Sequence, residues 1–200
     1  MAYESVLKLA EAEFPTRWGK FRIMGFEGRT RAGKVDEAVV LVMGDINSAA
    51  PILRIHSQCL TGDVFHSLRC DCRQQLELAL ATIAKAGAGI LLYEQQEGRG
   101  IGIMAKLRAY ELQDKGRDTI EANLDLGFRA DQRGYELPAA ILRQMEVKAV
   151  RLMTNNPEKV AALESAGVRV AERISAEVAP EAHSAKYLKT KRDKMGHLVG

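Results

Sequence analysis

All three cysteines of the 200-residue chain fall within fourteen positions, Cys59, Cys70 and Cys72, with only Asp71 between the last two. Thiolates are soft, tight ligands for zinc, and a pair at i, i+2 in a turn can face one ion while a third arrives from a neighbouring segment. Three protein ligands leave the fourth position open, as a catalytic zinc requires, because water bound there ionises near neutral pH. His56 and His66 lie close enough in sequence to close the site as a fourth ligand instead. The competing reading is three inert core thiols, since free cysteine is among the most buried residue types.

A second group is Glu97-Gly98-Arg99-Gly100-Ile101-Gly102, between an apolar run and a helical pattern. Its glycines let backbone N–H groups approach an anion, the helix start adds partial positive charge, and Arg99 can grip a phosphate with two donors. The i, i+2, i+4 spacing is neither a dinucleotide fingerprint nor a Walker loop. Thr154-Asn155-Asn156-Pro157-Glu158-Lys159 offers another helix start, where capping accounts for asparagine and proline but not for Lys159. Asp131 and Arg133 put a carboxylate and a guanidinium two residues apart on an irregular stretch, 127–135, suited to proton transfer or to an ordinary ion pair. Tyr110, three residues after Leu107, has the periodicity of a core tyrosine.

The elements that must position these residues follow from patterning. Short apolar runs bounded by turn residues predict strands over 20–25, 38–43, 52–55, 89–93, 149–153 and 168–172. Helical spacing predicts helices over 74–86, 103–115, with Ile103, Leu107 and Tyr110 on one face, and from Pro157 to Ala166; Gly87, Gly116 and Gly167 act as stops. Strands alternating with helices indicate an α/β (α+β) fold, a mixed β-sheet with flanking helices, and the absence of repeats or a Pro/Gly/Ser-rich linker indicates one domain over 1–200. From about 175 to 200 the chain turns polar and basic, as an end segment would.

Composition removes whole classes. A chain this long can bury an ordinary core without disulfide staples, and three cysteines with no basic, apolar leader point to a reduced cytoplasm. No stretch approaches the roughly 20 apolar residues of a membrane helix. The 29 basic and 26 acidic side chains, a net charge of +3, are mixed along the chain and do not by themselves point to nucleic acid.

Taken together, the chain resembles the GTP cyclohydrolase II family, zinc enzymes that begin riboflavin synthesis from GTP. The resemblance runs from Pro15-Thr16-Arg17-Trp18-Gly19 to Lys194-Met195-Gly196-His197-Leu198. It includes Arg54-Ile55-His56-Ser57-Gln58-Cys59-Leu60-Thr61-Gly62-Asp63, Leu68-Arg69-Cys70-Asp71-Cys72, Gln96-Glu97-Gly98-Arg99-Gly100-Ile101-Gly102, Glu121-Ala122-Asn123 and Thr154-Asn155-Asn156-Pro157. It implies one catalytic Zn2+ per chain on Cys59, Cys70 and Cys72, water attack at guanine C8, release of formate and pyrophosphate, and Mg2+ on the GTP triphosphate. Tyr110 matches the catalytic tyrosine, Asp131 the proton acceptor, and Arg133 the residue that acts as nucleophile toward the α-phosphate. Arg54, Ile55, His56, Ser57, Gln58, Gln75, Glu97, Gly98, Arg99, Thr119, Thr154 and Lys159 match GTP contacts. The resemblance further implies a cytoplasmic homodimer with no nucleic-acid or membrane partner, in the form without a fused dihydroxybutanone phosphate synthase domain. One departure is Glu94-Gln95, where the family usually carries arginine just before Gln96; weaker GTP binding is the expected consequence.

Two other classes use similar pieces. A zinc nucleobase deaminase needs H-x-E before P-C-x-x-C, whereas His56-Ser57-Gln58 has glutamine in place of that glutamate. A zinc-stabilised RNA-binding module needs stacking aromatics among its basic residues, and the 6% aromatic content shows no such cluster.

Overall fold

The computed structural model describes residues 3–47 and 49–179. The basic stretch 186–194 therefore lies outside the described residues. The chain forms two compact units, each assembled from separate segments: one takes residues up to His56, Glu77–Gln95 and Gly134–Ala176, and the other is built on Ser57–Leu76 and Gln96–Arg133.

The first unit holds a seven-stranded mixed sheet in the order β1-β2-β3-β5-β4-β6-β7. Its strands are β1 (Tyr3–Thr16), β2 (Gly19–Thr30), β3 (Val35–Met43), β4 (Ile52–Ser57), β5 (Gly89–Glu94), β6 (Ala149–Met153) and β7 (Arg169–Ile174). β1 and β2 form a long hairpin closed from Thr16↔Gly19 around Arg17 and Trp18, and β2–β3 and β3–β5 are also antiparallel. β4–β6 and β6–β7 are parallel, which requires a crossover; α5 (Pro157–Ser165) supplies the one between β6 and β7. Near-continuous apolar runs in β3 and β5 are what a strand covered on both faces needs: Leu41 and Leu91 are buried on one face, and Val40, Val42, Ile90 and Leu92 on the other. The latter four join Leu53 and Ile55 of β4 and Ile141 and Leu142 of α4 (Glu136–Gln144) in one core. Burying each such side chain contributes roughly 1.5–3 kcal/mol.

All six expected strands and three expected helices are present. α1 spans Cys72–Ala86 and α2 spans Ile103–Asp114, each within two residues of its expected ends. Two differences matter. β1 is not a recognisable strand in sequence because its run of Glu and Ala lacks strand propensity; as an edge strand it is fixed by pairing along its whole length with β2. The apolar face expected on α2 does not become core, since Met104 is 70% and Leu107 43% exposed and Ala109 is its buried residue. The face of α2 that matters is the polar one, carrying Lys106 and Tyr110.

Candidate metal centre and cavity

The second unit places the three cysteines on two short segments. Cys59 precedes a single π-turn (Leu60–Val64), and Cys70 and Cys72 sit where the chain enters α1. The π-turn is held at its start by Asp63, whose Oδ2 accepts Cys59 N–H at 3.0 Å and whose N–H reaches Cys59 O at 2.7 Å. Arg73 donates to Asp63 O at 2.6 Å. The three Sγ atoms lie within 4.8 Å of one another, and Cys59 Sγ is 3.7 Å from Cys70 Sγ. A tetrahedral zinc with Zn–S near 2.3 Å sets sulfurs about 3.8 Å apart, so this spacing fits such an ion. Gly62 makes room for it: a Cβ there would stand 2.9 Å from Cys70 Sγ, 3.1 Å from Cys59 Sγ and 3.1 Å from Cys72 Cβ. Among the described residues no histidine joins this group; His56 is buried on β4 and stacks on Tyr93 at 5.5 Å.

The thiols differ in acidity. Hydrogen bonds with Cys70 and Cys72, and then the charge of Lys106, outweigh burial and hold Cys59 far below the usual thiol range. The same bond to Cys59 pushes Cys70 up to about 11. Cys72 is raised further, chiefly by its bonds to the other two sulfurs. Cys59 is therefore the sulfur that carries negative charge first.

Around the sulfurs lies a cavity of about 680 Å³, part of it open to solvent. Its walls include Ser57, Gln58, Arg69, Gly98, Arg99, Lys106, Tyr110, Thr119, Asn123 and Arg133. Besides the thiols, the charged side chains among the lining residues are four cations, Arg69, Arg99, Lys106 and Arg133, and one carboxylate, Glu97. That balance suits a polyanion.

Each wall has its own local cause. Gly98 and Arg99 are both left-handed, at φ 62° and 64°, a conformation that costs a non-glycine residue about 1–3 kcal/mol and is found at functional loops. The turn is tied to the next wall by Gln132 N–H, 3.0 Å from Arg99 O, and Gly100 at φ 89° has no room for a Cβ, which would lie 3.2 Å from the Gln132 backbone. Arg133 is clamped by Asp131, which accepts from its backbone N–H at 3.0 Å, from Nε at 3.0 Å and from Nη2. Burial pushes the Asp131 carboxyl up, but the bonds and charge of Arg133, with the charge of Arg99, hold it below the usual carboxylate range. Tyr110 lines the cavity rather than the core; its hydroxyl meets Thr61 Oγ1 at 3.2 Å, and Thr61 Oγ1 is 3.6 Å from Cys59 Sγ. Burial raises the Tyr110 phenol despite the opposing charge of Lys106, so it keeps its proton.

Glu97 lines the cavity and is also tied into the protein. Its Oε2 accepts Leu60 N–H at 2.6 Å, and its Oε1 accepts Gly98 N–H at 2.9 Å and Lys106 Nζ at 2.7 Å. Two lone pairs per oxygen leave it one further acceptor position. Gln75 donates to Asp71 Oδ2 and is not among the lining residues.

The other expected contacts lie in the first unit, on the end of β4 and the loop after β6. Arg54 Nη1 donates to Met153 O at 3.1 Å, and Lys159 Nζ donates to Ile55 O at 2.9 Å and stands 5.3 Å from the Tyr135 ring centre. Asn156 caps α5 by accepting Glu158 N–H, and Thr154 is buried beside it.

Motif reading overlooked Thr61, Gly62 and Lys106. Lys106 had a signal: its i, i+4 spacing to Tyr110 puts both on one face of α2.

Comparison with known proteins adds an independent finding. A family model described as GTP cyclohydrolase II matches residues 7–175. The chain is 53% identical over 195 residues to GTP cyclohydrolase-2 of Aeromonas hydrophila subsp. hydrophila, covering 97% of this chain and 98% of that one. It is 54% identical over 197 residues to the protein of the same name from Pseudomonas paraeruginosa, covering 98% and 95%. To that of Haemophilus influenzae it is 53% identical over 193 residues, covering 96% and 88%.

Proposed function

The chain belongs to the GTP cyclohydrolase II family, and from that premise we propose that it hydrolyses GTP to a diaminopyrimidinone ribosylamine 5′-phosphate, formate and pyrophosphate, the first step of riboflavin biosynthesis. The observation that carries this reading is the wall composition of one cavity: three thiols spaced for a metal ion, and four cations against one carboxylate. Hydrolysis of a purine triphosphate at its ring would draw on both.

Zinc held by Cys59, Cys70 and Cys72 would supply Lewis acidity toward water and guanine C8. Tyr110 keeps its phenolic proton and so acts as a donor, able to protonate the nitrogen released when the imidazole ring opens. Arg99 and Arg133 serve the phosphates. A guanidinium clamped by a carboxylate stays charged, which favours an electrostatic role at the α-phosphate over a nucleophilic one. Asp131, held low and spent on Arg133, then anchors that arginine rather than accepting a proton. Magnesium would enter with the triphosphate: Glu97, the carboxylate lining the cavity, is largely occupied by internal donors, so the walls offer cations to the phosphates and no oxygen cage for a hard ion. Arg54, Ile55, His56, Thr154 and Lys159 are proposed as substrate contacts on the family pattern.

We also propose a cytoplasmic homodimer. No helix among the described residues is long and apolar enough to cross a membrane, and a working thiolate centre suits a reducing compartment. The edge strand β1, with Leu7 53% and Leu9 60% exposed, is the surface that fits a second copy; sedimentation at the mass of one chain would refute this.

The deciding experiment is mass spectrometry of products after incubation with GTP and magnesium, with and without a zinc chelator. Formate, pyrophosphate and the diaminopyrimidinone monophosphate are expected, all lost on chelation. GTP left intact by zinc-loaded protein would refute the reading.

A further inference from the structure

The thiolate centre carries a feature that water activation does not by itself require. Lys106, one turn into α2, has its Nζ 3.1 Å from Cys59 Sγ and 2.7 Å from Glu97 Oε1, with only 12% of its side chain exposed. Glu97 in turn holds Leu60 N–H, the residue next to Cys59. The ammonium is thus fixed from one side by a carboxylate and aimed from the other at a sulfur. Its remaining direction is toward the Tyr110 ring, 5.8 Å from the ring centre. A lysine meant to grip a phosphate would keep donors for solvent and ligand; this one spends them inside the protein.

Charge counting explains why a cation belongs there. Three thiolates on a divalent ion give a centre of net charge −1, which makes the ion a weaker Lewis acid than one held by three neutral imidazoles. A charge-assisted hydrogen bond to one sulfur draws electron density away from the metal and fixes the direction of that sulfur's lone pairs, as outer partners of metal ligands do. We propose that Lys106 is a positioning residue of the metal centre: held by Glu97, it orients Cys59 and withdraws charge from its sulfur, keeping a three-thiolate site electrophilic. The proposal rests on reading the cysteines as a metal centre but not on the identity of the substrate.

The test is optical and needs no GTP. Cobalt(II) is substituted into wild type and into Lys106→Met, Lys106→Gln and Lys106→Arg, and the sulfur-to-cobalt charge-transfer band is compared. A sulfur relieved of its cation gives up charge more easily, so the band moves to longer wavelength in Lys106→Met, by less in Lys106→Gln, which keeps a neutral donor, and returns toward wild type in Lys106→Arg. An unmoved band in Lys106→Met overturns the proposal, as does an arginine variant displaced as far as the methionine one. If Lys106→Met does not fold, an unmoved band in Lys106→Gln has the same force. Wild type that takes up no cobalt would instead refute the metal-centre reading. In turnover, kcat falls about 10- to 100-fold in Lys106→Met with KM for GTP nearly constant. A raised KM at unchanged kcat would make Lys106 a substrate contact and reject the positioning role.

Discussion

Gly62→Ala tests the geometry of the metal centre with one methyl group. The new Cβ would lie 2.9 Å from Cys70 Sγ and 3.1 Å from Cys59 Sγ, and ordinary contact begins at 3.4 Å, so the sulfurs must retreat by about 0.5 Å and 0.3 Å. Without metal that retreat is cheap, because each Sγ can turn about its own Cα–Cβ bond. Three sulfurs sharing one ion have no such freedom, since their distances to it are tolerated within about 0.2 Å. Overpacking costs roughly 1–3 kcal/mol, and the part that falls on the sulfurs weighs on the metal-bound form alone, while the 3.1 Å approach to Cys72 Cβ is common to both forms. Zinc affinity is therefore expected to drop about tenfold to a hundredfold, with the thermal midpoint of chelated protein within about 2 °C of chelated wild type. Competition with a chromogenic chelator and thermal unfolding in excess chelator measure the two quantities. Zinc bound as tightly as in wild type would refute the spacing argument; a large loss of stability in the chelated variant would show that Gly62 serves the fold rather than the ion.

Cys59→Ser should lose both zinc and formate release, because the remaining two thiols make an incomplete site; metal analysis showing one zinc per chain would contradict it. Arg133→Ala should abolish pyrophosphate release while zinc content is retained, its partner Asp131 being outside the thiolate group; turnover near wild type would remove Arg133 from the chemistry. Asp131 is lower in the folded chain than the unfolded value of about 3.9, so its pair with Arg133 contributes stability above that pH and loses it as pH falls through the lowered folded value. A carbonyl-carbon NMR titration should place its midpoint below 3.9, and a midpoint at or above that value rejects the clamp. Gln95→Arg should leave KM for GTP within about twofold: Gln95 Nε2 donates to Glu37 Oε2 at 3.1 Å, so an added guanidinium meets Glu37 first, and exposed pairs of this kind contribute about 0–1 kcal/mol. A tenfold fall in KM would show that its charge reaches the substrate.

What the sequence makes legible tracks the range of the forces involved. β3, β5, α1 and α5 announce themselves through local apolar spacing and glycine or proline punctuation, and all stand within three residues of their expected ends. β1 and α3 (Thr119–Asp125) do not. β1 exists through its partner strand, and α3 rests on a capping box in which Asp118 accepts Ile120 and Glu121 N–H while Glu121 returns to Asp118 N–H. That signal is present in Asp118-Thr119-Ile120-Glu121, but a seven-residue helix is too short to show an apolar period. Tyr110 shows the opposite error: helical spacing predicts a core residue, whereas α2 turns Lys106, Ala109 and Tyr110 toward the cavity and leaves Leu107 exposed.

Glu97 separates what a motif can say from what it cannot. A carboxylate in a glycine loop reads as a substrate contact because nothing else nearby in sequence claims it. The residues that do claim it are 37 positions upstream, at Leu60, and 9 downstream, at Lys106, and Lys106 reaches in turn across 47 positions to Cys59. Those three links join the glycine loop, α2 and the π-turn through one carboxylate, so removing its charge should disturb the sulfurs as well as the substrate. The motif fixes which backbone comes close to the ligand. Which further part a side chain takes is decided by such distant partners, and on that ground Glu97 and Lys106 hold the wall that carries the metal ligands.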